Sequence, residues 1–79
     1  MNTHSGAIAE HEVVTTLSEV SAQVLGESKE VSLPAGSLGT VVLVHAVGAA
    51  PVAYEVEFHL GGLSYGLATV SAGQIVRAS

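Results

Sequence analysis

The sequence predicts an all-β domain, a small barrel or strongly bent sheet of about five short antiparallel strands behind an N-terminal extension. Three observations carry this. Nearly half of the 79 residues are hydrophobic, and valine dominates that set, whose branched side chain suits a pleated surface. The stretch Ala53 to Leu60 alternates apolar and polar residues, the period of a half-buried strand. Glycine, serine and proline punctuate the chain at strand-length intervals, as turns require.

Residues 1–12 are polar, contain His4 and His11 and hold no sustained period, so they read as a flexible N-terminal tail ahead of a single domain over residues 13–79. From Val13 to Leu25 two patterns compete. Val13, Val14, Leu17, Val20 and Val24 fit a helical stripe, whereas the valine and threonine content favours a strand, most clearly from Ser21 to Leu25. Gly26 to Gly39 carries glycine, serine, proline and most of the mid-chain charge and reads as a long loop. Thr40 to Val47 is almost continuously apolar, and Gly48 to Pro51 break it. Ala53 to Leu60 then returns as the second strand of a hairpin.

Within that strand Tyr54, Val56, Phe58 and Leu60 share the core face, while Glu55, Glu57 and His59 share the wet one. Gly61 and Gly62 supply the positive backbone angles of a two-residue turn. Pairing Leu60 with Leu63 would set Phe58 against Tyr65 and Val56 against Leu67 on the core side. Ser71 to Gln74 reads as a tight turn and Ile75 to Arg77 as a short closing strand. Closing into a barrel protects the edges of so small a sheet.

Charge and composition exclude several function classes. The net charge is −5 with Lys29 and Arg77 as the only firm cations, too few to neutralise a run of phosphates or to dock on anionic lipid. No nucleic acid or membrane partner is therefore expected. Residues 1–12 lack the basic start and apolar stretch of a secretory signal. The most apolar run, Val41 to Ala53, is too short to span a bilayer. With no cysteine, disulfides and thiolate metal sites do not arise, and a cytoplasmic location is expected.

The polar residues suggest chemistry that does not converge. His45 and His59 fall on the order of 15 Å apart along the expected hairpin, too far to share an ion, so neither metal nor other cofactor is expected. In that register His45 lies near Tyr54, and the reading preferred for it is a half-exposed strand-end histidine. Glu55 and Glu57 lie on one face, but Ala68 and Gly66 opposite them would supply neither a cleft nor a counter-charge to split their pKa values. Aspartate is absent and no Gly-x-Ser-x-Gly occurs, so no catalytic triad is legible. Gly36-Ser-Leu-Gly39 lacks the lysine of a phosphate loop and opens a strand. A groove for proline-rich peptides needs clustered exposed aromatics, and Tyr54, Phe58 and Tyr65 are all expected in the core.

Three segments carry a family resemblance: Leu33-Pro-Ala-Gly-Ser-Leu-Gly-Thr-Val-Val42, Ala53-Tyr-Glu-Val-Glu-Phe58 and Ala68-Thr-Val-Ser-Ala-Gly-Gln-Ile75. Together they resemble a family of short bacterial proteins catalogued as domain of unknown function 4926. The resemblance covers about the last two-thirds of the chain, and Tyr-Glu-Val-Glu-Phe is its most specific string. It implies an SH3-like barrel and, for some relatives, a place among small accessory, antitoxin or immunity-type proteins. Catalytic residues are not part of what it implies. This chain departs from the family with Ser37 between the two glycines and with Gly26-Glu-Ser-Lys-Glu30 in the early loop.

A domain this small cannot bury all of its apolar surface. The function expected is a non-catalytic protein-binding or accessory domain, self-associating into a homo-oligomer or docking to one protein partner. The candidate interface is an apolar edge or face rimmed by Glu55, Glu57 and His59. The alternative is an acidic antitoxin or immunity-like inhibitor of a basic toxin. A small-ligand binder or enzyme ranks third.

Overall fold

The computed structural model describes residues 7–78. Seven strands follow one another: β1 (Val13–Thr16), β2 (Val20–Val24), β3 (Glu30–Leu33), β4 (Leu38–Val47), β5 (Ala50–Gly61), β6 (Ser64–Val70) and β7 (Ile75–Arg77). They form one sheet in the order β3-β2-β6-β5-β4-β1-β7, antiparallel throughout, curled into a half-barrel. The all-β barrel class agrees with the sequence, and the strand number exceeds the expected five.

The two extra strands have plain causes. Val13–Leu25 is strand rather than helix, but Leu17–Glu19 interrupt it; Val14, Val20, Ala22 and Val24 are buried with period two while Val13 and Leu17 face outward. Glu30–Leu33 lies inside the expected loop. It is an edge strand whose Glu30 and Ser32 point to solvent and whose Val31 and Leu33 pack on the core, so its composition resembles that of a loop.

The concave face holds the core. Phe58, Val14, Val41 and Val56 are fully buried, and Val20, Ala22, Tyr54, Ala68, Val70 and Ile75 complete the cluster. Gly39 lies against this cluster because nothing larger fits: a Cβ there would stand 2.5 Å from Val56 Cγ1 and 2.8 Å from the Phe58 ring. The Pro34–Ser37 loop is strapped to the end of β1 by the one buried polar side chain among the described residues, Thr16. Its hydroxyl donates to Pro34 O (3.1 Å) and accepts from Ser37 N–H (3.0 Å), beside backbone bonds from Gly36 N to Thr16 O and from Thr16 N to Ser37 O. Thr16→Val keeps the shape and strands the Ser37 N–H. We expect about 1–3 kcal/mol of lost stability in denaturant melts, with Thr16→Ser closer to wild type.

Of the tail expected over residues 1–12, residues 1–6 lie outside the described part. Residues 7–12 are held on the sheet instead of trailing from it. His11 N donates to Val41 O and Val41 N to Glu12 O, Arg77 pairs with Glu12 and donates to Ala7 O, and Ile8 packs against the core.

The expected β5–β6 register is off by one. The turn falls at Gly62–Leu63, where Gly62 carries the positive φ of +56°, and a bulge between His59 and Gly61 absorbs Leu60. His59 therefore pairs with Tyr65, Phe58 with Gly66, Glu57 with Leu67 and Glu55 with Thr69. A one-residue slip moves every side chain to the other face. Tyr65 and Leu67, expected in the core, lie on the convex face, and Gly66 and Ala68 take their places under Phe58 and Val56.

Candidate functional site

The convex face of β5 presents Glu55, Glu57 and His59 as expected, spaced by about 6.6 Å steps. They do not act as a unit, because Glu55 and His59 are each held by a different neighbour.

Glu55 is the most constrained. A bulge at Val42 shifts β4 so that Leu43 pairs with Glu55 and His45 with Ala53. The His45 ring thereby reaches diagonally to Glu55, Nε2 to Oε2 at 2.8 Å, and a carboxylate can only accept, so Nε2 carries the proton. Thr69 Oγ1 donates to the same carboxylate from the other side at 2.9 Å. This corrects two expectations. His45 meets Glu55 rather than Tyr54, and Thr69 and Leu67, not Ala68 and Gly66, stand opposite the two glutamates.

The His45 hydrogen bond, with smaller help from Thr69 and from the charge of His45, holds the Glu55 carboxyl below its ordinary value against the opposing effect of burial. A carboxyl with a depressed folded-state pKa stabilises the fold above its unfolded value and loses that contribution as pH falls through the folded one. Glu55→Gln is therefore expected to lower the melting temperature at neutral pH. Its curve and that of the wild type should converge in acid, as melts across pH 3–8 would read out.

Glu57 sits between Thr40 on β4 and Leu67 on β6. His59 donates through Nε2 to Gly62 O at 2.9 Å, closing the hairpin turn, and its ring lies 5.0 Å from that of Tyr65 at 35°. At this end the pairing of β4 with β5 stops at Thr40 and Glu57. Val13, Leu38, Thr40, Glu57, His59 and Tyr65 line a shallow depression of about 160 Å³. It adjoins a larger open groove of about 390 Å³ between Leu33, Gly36, Ser37, Leu38, Phe58 and His59. Leu38 is 63% exposed and Tyr65 42%, so the depression is an apolar surface with Glu57 and His59 at its rim.

Tyr65 and Leu38 were missed as members of this surface. Tyr65 was hidden by the slipped register, and Leu38 lay within the segment read as a loop. Among the described residues no three histidines, cysteines or acids come together as metal ligands would, and no helix is long and apolar enough to cross a membrane. Comparison of the chain with protein-family models, with curated proteins and with solved structures gives no match.

Proposed function

We propose that this chain is a non-catalytic protein-binding or accessory domain of the cytoplasm, which associates with itself or with one protein partner through its exposed apolar surface. The observation that carries this reading is the combination of a thin, filled core with large aliphatic and aromatic side chains left open on the sheet. Leu38, Tyr65, Leu43 and Val47 are all at least two-fifths exposed. Catalysis is disfavoured because the group of Glu55, His45 and Thr69 stands on the exposed face of the sheet, outside both depressions.

The acidic surface supports a second reading, an inhibitor of a basic partner protein. Lys29 lies 3.5 Å from Glu27 and Arg77 is paired with Glu12, so the two firm cations are both offset locally and the −5 charge faces outward. Steep salt dependence of partner capture would favour this reading.

The experiment for the leading proposal is solution mass by light scattering over a concentration series, together with binding of a hydrophobic dye. Association with rising concentration, or a monomer that binds dye and retains a specific protein, supports it. A monomer at every concentration that binds neither overturns it.

A further inference from the structure

We propose that the outer half of the β4–β5 hairpin is a dimerisation arm whose β4 edge pairs antiparallel with the same edge of a second copy of this chain. The proposal rests on the self-associating reading above and names its surface.

β5 is twelve residues long, about 40 Å at strand rise, which matches the 40 Å long axis of the molecule. Its neighbours are shorter. β1 pairs with β4 only from Leu38 to Thr40, and β6 pairs with β5 only as far as Tyr54. Among the described residues, no other strand pairs with the hairpin beyond these points. Among the described residues, the last β4 residue bonded on the side away from β5 is Val41, whose N–H and C=O meet Glu12 and His11. From Leu43 to Val47 that edge carries no backbone bond to another described residue.

Open strand edges recruit other strands unless charge, proline or a covering segment blocks them. The two edges of the arm differ in this respect. The β5 side carries Pro51, which has no N–H to offer, and an irregularity in its pairing between His45 and Ala46. The β4 side has no proline, lysine, arginine or acid. Leu43 and Val47 are exposed on it, 45% and 71%.

Charge points to a second copy as the occupant. All seven acids of the chain lie outside residues 40–54, as do Lys29 and Arg77, so the arm is close to neutral on a molecule of charge −5. Copies meeting at the β3 edge, which carries Glu30, or at the face of β5 that carries Glu55 and Glu57, would bring acid against acid, and copies meeting at their arms do not. The arm's one histidine, His45, is already held by Glu55 of its own chain.

The open edge also matches itself. Antiparallel pairing about a two-fold axis keeps inward and outward faces aligned only when the axis falls on a residue. Centred on His45, the middle of the open segment, it sets Leu43 against Val47 and Val44 against Ala46. Such an edge would bury on the order of 500 Å² from each copy, at the small end of specific interfaces, so the dimer is reversible and concentration dependent.

The test is light scattering and sedimentation over a concentration series for the wild type and two double variants. One is Leu43→Lys/Val47→Lys on the arm; the other is Leu38→Lys/Tyr65→Ser on the convex face. Circular dichroism confirms folding, and Ala46→Lys serves in place of the arm pair if that variant does not fold. We expect a dimer in the wild type and the convex-face variant, and at least tenfold weaker association in the arm variant. A dimer that survives lysines on the arm but is lost from the convex-face variant overturns the arm while leaving self-association standing. A wild type that is monomeric throughout overturns the arm and self-association together.

Discussion

Phe58→Ala is expected to lose about 3–5 kcal/mol of stability, the range for removing a large buried aromatic without collapse of the space it leaves. Native domains hold roughly 5–15 kcal/mol in total, and small ones sit low in that range. Much of the variant should therefore be unfolded at growth temperature. Phe58 stands at the middle of the concave face, fully buried, with Gly39 on one side and Gly66 on the other. Gly39 leaves the space that the Phe58 ring fills, and with no side chain it cannot extend into the vacancy. A urea titration should show the midpoint falling with little change in slope. A loss under about 1 kcal/mol would mean that the core closes over the gap.

Gly39→Ala makes the complementary error. The added methyl would meet Val56 Cγ1 and two carbons of the Phe58 ring, all at less than 3.0 Å. Overpacking of this kind costs about 1–3 kcal/mol and more where the neighbours cannot give. Both neighbours lie on β5, in the centre of the sheet, and neither can be displaced without disturbing its pairing with β4 and β6. Combining Gly39→Ala with Phe58→Leu should recover part of the loss, because the smaller side chain vacates the volume the methyl needs. A coupling of about 0.5–3 kcal/mol is the expected readout of the double-mutant cycle. Strict additivity would show that the clash is relieved by backbone movement.

The two faces of the strand that carries the candidate interface were legible from Tyr54 to His59, although β5 begins at Ala50, inside the expected break, and bulges at Leu60. Tyr54, Val56 and Phe58 alternate with Glu55, Glu57 and His59, and alternation alone assigns both faces without knowledge of any partner strand. What failed was the step from one strand to its neighbours. Two glycines in a row offer two ways to place a turn, and the bulge that absorbs Leu60 decides between them. That single residue carried Tyr65 and Leu67 from the expected core to the surface, and with them the aromatic member of the apolar patch. The bulge at Val42 had the same effect on β4, bringing His45 to Glu55. Bulges leave little trace in hydrophobic periodicity, because an extra residue in a run of valines and leucines still reads as a run. β3 escaped notice for another reason: Glu30-Val-Ser-Leu33 covers a sheet edge, where polar residues serve the strand as well as they would serve a loop.

The strap between Glu12 and Arg77 joins residues 65 positions apart in the chain, and β1 lies between β4 and β7 in the sheet. During synthesis β1 emerges early but cannot gain its second neighbour until β7 has been made. Until then Val14 has no strand on one side, and the core cannot seal around Ile75. Folding of so non-local a sheet is expected to wait for a late, rate-limiting docking event. A nascent chain stalled before Ile75 would be the species most exposed to chaperones and to aggregation.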